Sequence, residues 1–320
     1  MAPDANSAGA APAVSVIVPL FNKAREVRRA LDSVVGQTFS DWEIVVVDDY
    51  SEDGGGELVQ SLAIPKLRLF RKANEGVSIA RNFAVSEARG ALVAFLDADD
   101  EWLPDHLETI VRLARAHPEC GAIATGYSRV LAGGRPQTPA LLHIPPAPWE
   151  GILPDYFRAA LGPHPLWTSA VAVRRDLFLE LGGFPSDRRR GEDLHLWFRL
   201  ALKTRIAFCS TPSAIYHTEA GNRSNEGNLS AGRDGAAPAS QIVGIPTANL
   251  PSWVKRADVE EYLNKVHIMS AVSLVWQGKP AAARARLAQA ASTRRLRRWR
   301  MKWLLLSHIP LPLLQRLRRD

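Results

Sequence analysis

Short apolar segments alternate with segments of helical spacing in the N-terminal third of this chain, and that alternation limits the possible folds most. The apolar segments cover residues 14–20, 42–47, 67–70 and 91–96, and the helical ones cover 25–35, 57–62 and 77–88. The pattern predicts an α/β fold with a mostly parallel sheet flanked by helices. Because ligands of such sheets bind beyond the carboxyl ends of the strands, the residues after each apolar segment are the candidate site.

Three aspartates, Asp97, Asp99 and Asp100, follow the fourth apolar segment. Two unit charges about 4 Å apart repel by about 1 kcal/mol in water and by about 4 kcal/mol at an effective dielectric constant of 20. A cation would relieve this repulsion, and oxygen ligands without nearby Cys or His favour Mg²⁺ or Mn²⁺. The alternative is a solvated acidic loop in which Asp99 or Asp100 caps a helix that begins near Pro104.

The residues after the first apolar segment argue against two common nucleotide sites. A dinucleotide-binding domain needs G-x-G-x-x-G at this point, but the chain reads Pro-Leu-Phe-Asn-Lys-Ala over residues 19–24. A P-loop of the form G-x-x-x-x-G-K-[ST] does not occur anywhere in the sequence. NAD-dependent and P-loop ATP-dependent chemistry are therefore disfavoured.

Asp193 precedes a second region of interest, a run of helical spacing over residues 194–202. Aspartate is common at helix N-caps, so a capping role is the simpler interpretation. The functional interpretation is a general base held at a helix terminus beside a cleft. These residues alone favour the cap.

Charge is distributed unevenly along the chain. Of its 40 Lys and Arg residues, 11 follow residue 283 together with one of the 33 acidic residues, which leaves 29 basic and 32 acidic residues before them. A nucleic-acid-binding body is therefore disfavoured.

The two cysteines, Cys120 and Cys209, match no zinc or redox spacing and indicate a reducing, cytoplasmic compartment. Residues 1–13 are expected to form a disordered leader, and no apolar run of 18 residues predicts a spanning helix.

The C-terminal region is expected to be helical over residues 253–320, after a Gly-, Asn-, Ser- and Ala-rich loop or linker at 221–252. In its tail, residues 294–320, Leu296, Trp299, Trp303 and Leu306 recur at helical spacing among arginines. This pattern is typical of an interfacial helix on an anionic membrane surface, which would make the protein peripheral at the inner membrane face. Packing against the protein body is the main alternative, and nucleic-acid contact is a third.

Several short motifs follow one another in order over residues 14–220. They are VSVIVPLFNK at 14–23, SVVGQTF at 33–39, VVDDYSEDG at 46–54, NEGVSIARN at 74–82, LDADD at 96–100, GGF at 182–184, GEDL at 191–194 and YH at 216–217. This ordered set resembles the motifs of family 2 glycosyltransferases with the GT-A fold. The resemblance implies an inverting transfer of a sugar from a nucleotide-sugar, usually UDP-linked, to an acceptor hydroxyl. The acceptor would be a saccharide or lipid-linked saccharide in surface polysaccharide or glycolipid synthesis, without a nucleic-acid partner.

The resemblance also implies roles for particular residues. Asp193 would be the catalytic base, and a Mn²⁺ or Mg²⁺ ion would be the cofactor. The binding residues would be Pro19, Phe21 and Asn22 around the nucleoside, Asp49 on the base, Arg81 near the nucleotide, Asp97 and Asp99 in the D-x-D-D element, Asp99 and Asp100 on the metal, and His217 as a further metal or phosphate contact. The alternatives are a non-catalytic nucleotide-sugar-binding or scaffold protein on the same fold and a nucleotidyltransferase, which the lack of a Gly-rich phosphate loop disfavours.

Overall fold

A mixed sheet organises the computed structural model, which describes residues 11–130, 134–187, 191–218, 242 and 246–317. Over these residues its strands are β1 Val14–Leu20, β2 Trp42–Asp48, β3 Leu67–Arg71, β4 Leu92–Phe95, β5 Glu101–Trp102, β6 Cys120–Val130, β7 Glu150–Ile152, β8 Val171–Arg174 and β9 Arg205–His217. The sheet order is β3-β2-β1-β4-β8-β6-β9-β5, with β7 paired to β9.

The helices lie on both faces of this sheet, and the last four follow its final strand along the chain. They are α1 Val27–Val35, α2 Gly55–Ser61, α3 Val77–Glu87, α4 His106–Ala116, α5 Tyr156–Ala159, α6 Arg175–Glu180, α7 Glu192–Lys203, α8 Arg256–Trp276, α9 Pro280–Gln289, α10 Arg297–Leu306 and α11 Leu311–Leu317. None of these helices is long and apolar enough to cross a membrane.

The first four strands form the predicted parallel sheet, since β1 pairs in parallel with both β2 and β4, and β2 pairs in parallel with β3. Every residue of β2 is buried, as expected for a parallel strand covered on both faces. Along β1, Val16 and Val18 pack in the cluster that holds α1 and α4, whereas Ile17 packs in the cluster that holds α3 and α7. The α/β prediction is confirmed. Strands β2 and β3 lie on one side of β1, and β4 lies on the other. The loops after β1 and β4 therefore border a topological switch point.

The second half of the sheet is mixed. Strand β8 pairs antiparallel to β4 and β6, β9 runs parallel to β6, and the short β5 and β7 pair antiparallel to β9. The apolar residues of segment 167–173 suggest one continuous strand, but a 3-10 turn at Thr168–Ala170 comes first and β8 begins at Val171. The helix expected near Pro104 is confirmed and begins at His106 after Asp105. Because β5 separates this helix from the aspartates, the alternative that Asp99 or Asp100 caps it is wrong.

The C-terminal helices belong to two apolar clusters. The first half of α8 joins the main core, where Val259, Tyr262 and Val266 pack. Its second half packs with α9, α10 and α11 in a separate cluster. Lys265 of α8 also donates to the carbonyl oxygens of Ala160 and Gly162, both at 2.6 Å. The domain limits at 14–220 and 253–320 stay predictions. Residues 1–10 of the expected leader and most of the expected linker, 221–241 and 243–245, lie outside the described residues.

Candidate active site

The loops that follow β1 and β2 are joined through Asn22. Its backbone N–H donates to Ser51 Oγ at 3.0 Å, and its side-chain Oδ1 accepts from the Glu52 N–H at 2.8 Å. Asn22 has φ of 51°, a left-handed conformation that asparagine tolerates better than most residues. Phe21 and Tyr50 flank these contacts and are 38% and 56% exposed. The two loops therefore present aromatic surface to solvent at the carboxyl edge of the sheet, where the nucleoside was expected. Pro19 lies just upstream in β1 and is partly buried.

Asp49, the residue expected to bind the base, is buried and holds the loop before α3. Its Oδ1 accepts from the Glu75 N–H at 2.9 Å and its Oδ2 accepts from the Gly76 N–H at 2.8 Å. Gly76 has φ of 96°, a region that residues with a Cβ rarely adopt. Each carboxylate oxygen can accept a further hydrogen bond, so this structural role does not exhaust the capacity of Asp49.

Each of the three clustered aspartates has its own partner. Asp97 accepts from Arg81 Nη2 at 2.6 Å, and Asp99 Oδ2 lies 2.9 Å from Lys23 Nζ. Asp100 is buried, and its Oδ2 accepts from Ser169 Oγ at 2.6 Å. The mutual repulsion of these carboxylates is thus relieved by neighbouring cations and donors.

His217 ends β9 beside the acidic loop. Its Nε2 lies 2.9 Å from Glu101 Oε2, and its backbone N–H donates to Asp100 Oδ1 at 3.3 Å. Strand β9 therefore brings the last of the sequence-predicted residues to the same edge as the aspartates. The carboxylate that contacts the His217 imidazole is Glu101, which was not identified from the sequence.

Arg81 connects the acidic loop to helix α7. Arg81 is 4% exposed, and its Nη1 lies 3.1 Å from Glu192 Oε1 while its Nη2 contacts Asp97. It also lies over the Phe184 ring, 5.1 Å from the centroid. A buried charge of this kind needs partners, and here the partners come from the acidic loop after β4 and from α7. Arg81 therefore fixes the start of α7 relative to the end of β4.

Asp193 lies in the first turn of α7, next to Glu192. The N-cap of this helix is Gly191, with φ of 70°, so the capping interpretation of Asp193 is wrong. The Asp193 Oδ1 accepts only from the adjacent Leu194 N–H, at 2.7 Å, among the contacts of the described residues. Burial, and next the charge of Glu192, raise the pKa of Asp193 to about 7. A carboxylate with such a pKa can accept a proton near neutral pH.

The donor set of the acidic loop fits a hard divalent cation. Within the described ranges, no group of three His, Cys, Asp or Glu side chains converges as a preformed metal centre. Mg²⁺, however, is commonly bound by one or two carboxylates and completes its shell with water and substrate phosphates. Asp99 and Asp100 supply that number of carboxylates at the correct edge of the sheet. Lys23 occupies the same carboxylate, Asp99, that a cation would use.

Besides Glu101, three contributing residues were not identified from the sequence: Lys23, Ser169 and Glu192. Lys23 and Glu192 are each adjacent to a predicted residue, Asn22 and Asp193, and their charge was the available signal. Ser169 lies in the 3-10 turn before β8, where its hydroxyl accepts from the Asp97 N–H and donates to Asp100. Its position carries no local sequence signal, because the contact depends on the antiparallel pairing of β8 with β4.

The mixed sheet, the switch point at β1 and the acidic edge define a GT-A type α/β protein. Residues 15–168, just under half of the chain, match the family model described as Glycosyl transferase family 2, so the chain contains a domain of this family. An uncharacterized glycosyltransferase of Rickettsia felis is 31% identical over 199 residues, 60% of this chain and 31% of the relative. The Bacillus subtilis protein named as putative teichuronic acid biosynthesis glycosyltransferase TuaG is 36% identical over 128 residues, 39% of this chain and 50% of its own. The chain thus spans about a third to a half of the length of these relatives.

Solved structures share the fold. S. aureus TarS has a TM-score of 0.64 at 22% identity, over 92% of this chain and 53% of that chain. TarS 1–349 in complex with UDP-GlcNAc has a TM-score of 0.56 at 19% identity, over 88% of this chain and 73% of that chain. The GT-A fold predicted by resemblance is confirmed.

Proposed function

We propose that this chain is an inverting glycosyltransferase that moves a sugar from a nucleotide-sugar, a UDP-sugar, to an acceptor hydroxyl. The observation that carries the proposal is Asp193, a partly buried carboxylate whose pKa lies near 7 and whose helix is tied to the acidic loop through Arg81. Family membership over residues 15–168 supports the reaction class. The likeness to TarS 1–349, which was solved with UDP-GlcNAc, supports a UDP-linked donor.

In this proposal the residues divide into donor and acceptor groups. Phe21 and Tyr50 provide exposed aromatic surface for the nucleoside, with Pro19, Asn22 and Asp49 around it. Asp193 takes the proton of the acceptor hydroxyl as that oxygen attacks the anomeric carbon. One base opposite the leaving group is sufficient for inversion, by analogy with inverting glycosidases. Arg81 acts through its two carboxylate partners, since its guanidinium is already occupied by Asp97 and Glu192.

Asp99 and Asp100 would hold a Mn²⁺ or Mg²⁺ ion. His217 lies next to this pair, with its imidazole on Glu101 and its backbone N–H on Asp100. When bound, such an ion offsets the negative charge that develops on a diphosphate leaving group. The ion would share the Asp99 carboxylate with the Lys23 ammonium group, which lies 2.9 Å from Asp99 Oδ2.

The proposed acceptor is a saccharide or lipid-linked saccharide in the synthesis of a surface polysaccharide or glycolipid. The name of the B. subtilis relative, which refers to teichuronic acid biosynthesis, supports a cell-surface polymer. A lipid-linked acceptor requires access to a membrane surface, so contact through residues 294–320 at the inner face of the membrane is part of the proposal. Nucleic acid is not a proposed partner.

Donor hydrolysis and transfer by the purified chain would test this proposal. UDP release should depend on Mn²⁺ or Mg²⁺, and Asp193→Asn should abolish it while UDP still raises the melting temperature. The matched control is Glu260→Gln, an exposed carboxylate on α8, which should leave turnover unchanged. UDP binding without any turnover, with every donor tried, would instead support the non-catalytic nucleotide-sugar-binding or scaffold alternative. Normal turnover by Asp193→Asn would refute the assignment of the base.

A further inference from the structure

The apolar face predicted to meet a membrane is used inside the protein. Trp299, Trp303 and Leu306 of α10 pack against the apolar cluster of α8 and α9. The rings of Trp303 and Trp276 meet edge to face with centroids 6.1 Å apart. These side chains cannot enter a bilayer without uncovering the cluster, so for this face the packing alternative is correct.

The opposite side of α10 carries a second, exposed face. We call Arg297, Arg298, Met301, Lys302 and Leu305 the outer face of α10, since residues three and four positions apart lie on the same side of a helix. All five are exposed, Met301 to 40% and Leu305 to 67%, and with Leu306 they line a shallow open groove. Leu305 belongs to none of the three apolar clusters formed by the residues that the structure describes.

The charges around the outer face are of one sign. Two basic residues of the tail have structural partners, because Arg295 pairs with Asp258 at 2.5 Å and Arg300 donates to the Leu287 carbonyl oxygen at 2.7 Å. By contrast, Arg297, Arg298 and Lys302 form no ion pair with any other residue that the structure describes. Residues 294–317 contain no Asp or Glu, so nothing on this segment offsets these charges.

We propose that the outer face of α10 is the surface that docks on an anionic phospholipid membrane. Its guanidinium and ammonium groups would meet lipid phosphates, and Met301 and Leu305 would enter the headgroup boundary. Nucleic acid fits less well, because a single-strand site uses exposed aromatic rings for stacking and the tryptophans of α10 face inward. The inference rests on the proposed membrane contact, not on the proposed reaction, and it names a different set of residues from the one that periodicity suggests.

Vesicle sedimentation with the full-length chain tests this inference. Deleting the tail is unsuitable, since it would uncover the cluster on α8 and α9, so exposed side chains are changed instead. The Arg298→Gln, Lys302→Gln double variant should bind phosphatidylcholine–phosphatidylglycerol vesicles about 30-fold more weakly, about fivefold per charge. Leu305→Gln should also weaken binding, and added salt should lower the affinity of the wild type. The controls Arg115→Gln on α4 and Leu179→Gln on α6 make the same changes at other exposed positions and should bind normally.

Three results would overturn the inference. Outer-face variants that bind as well as the wild type would place the contact elsewhere in the tail and leave the proposed function intact. Wild-type protein that does not bind these vesicles, or binds phosphatidylcholine alone equally well, would remove the anionic membrane as a partner. Binding of single-stranded RNA, but not vesicles, through the same residues would identify a different partner. Unchanged melting temperatures and unchanged turnover on a soluble acceptor would establish that the variants are folded and that the docking result is separate from catalysis.

Discussion

Replacing Asp193 by Asn should abolish sugar transfer and at the same time stabilise the fold at alkaline pH. The folded protein raises the pKa of this carboxyl from 3.8 to about 7, chiefly through burial. A raised pKa means that the fold favours the protonated form, so the associated stability is present below pH 4 and is lost as pH rises through 7. At 1.36 kcal/mol per pKa unit, this shift can change the free energy of unfolding by at most about 4 kcal/mol. Because Asp193 is partly exposed, we expect the Asp193→Asn protein to be more stable than the wild type by about 2 kcal/mol at pH 8.

Urea unfolding of both proteins at pH 4 and pH 8 measures this effect, and UDP release measures activity. The stability difference should be small at pH 4 and should grow toward pH 8. In the wild type, transfer should fall about tenfold per pH unit on the acid side of pH 7, because the protonated carboxyl cannot act as a base. Glu260→Gln is the control for a carboxyl-to-amide change at an exposed site and should shift stability by less than about 0.5 kcal/mol. An Asp193→Asn protein that is equally stable or less stable at pH 8 would refute the burial argument, even if its activity were lost.

Three further predictions concern the supports of the site. Arg81→Met should lower the free energy of unfolding by about 2–4 kcal/mol in urea, since it leaves the partly buried carboxylates of Asp97 and Glu192 without their shared cation. An unchanged urea midpoint would contradict this. In Asp49→Asn only one side-chain oxygen remains to accept from the two backbone N–H groups before α3, so the free energy of unfolding should fall by about 1–3 kcal/mol. The same variant should bind UDP more weakly in calorimetry, and equal affinity would exclude a role of Asp49 at the base. Gly90→Ala should lower the free energy of unfolding by about 1–3 kcal/mol in thermal unfolding, because its Cβ would lie 2.6 Å from the Ser15 backbone nitrogen. An unchanged melting temperature would mean that the backbone shifts at no cost.

The parallel half of the fold was predictable because its strands are short, apolar and separated by helical periodicity. Strands β1 to β4 were placed close to their observed limits by this local pattern. The antiparallel half was not, since a 3-10 turn such as Thr168–Ala170 and the pairing of β8 between β4 and β6 depend on residues far apart in sequence. Periodicity reports which side of a segment is buried, and it does not report which neighbour the segment meets.

The candidate site shows the same division between local and long-range information. Charge and motif order indicated Asp97, Asp99 and Asp193, but nothing local to Arg81 shows that its partners are a residue of the acidic loop and a residue of α7. The sequence therefore suggested a nucleotide contact for a side chain that is committed to two ion pairs. The partners of a buried cation are set by topology, which the one-dimensional pattern does not contain.

The tail illustrates why helical spacing alone cannot identify a binding surface. Both sides of α10 carry apolar residues, and the pattern favours the side with the larger rings, Trp299 and Trp303. Large aromatic side chains bury the most area, so they are also the ones that stabilise packing against α8 and α9 most strongly. The face left for a partner is then the less hydrophobic one, where Leu305 and Met301 are exposed among basic residues that form no ion pair within the described part of the chain. For a basic amphipathic segment at the end of a folded domain, the weaker apolar face is the better candidate for a membrane, because the stronger one stabilises the fold.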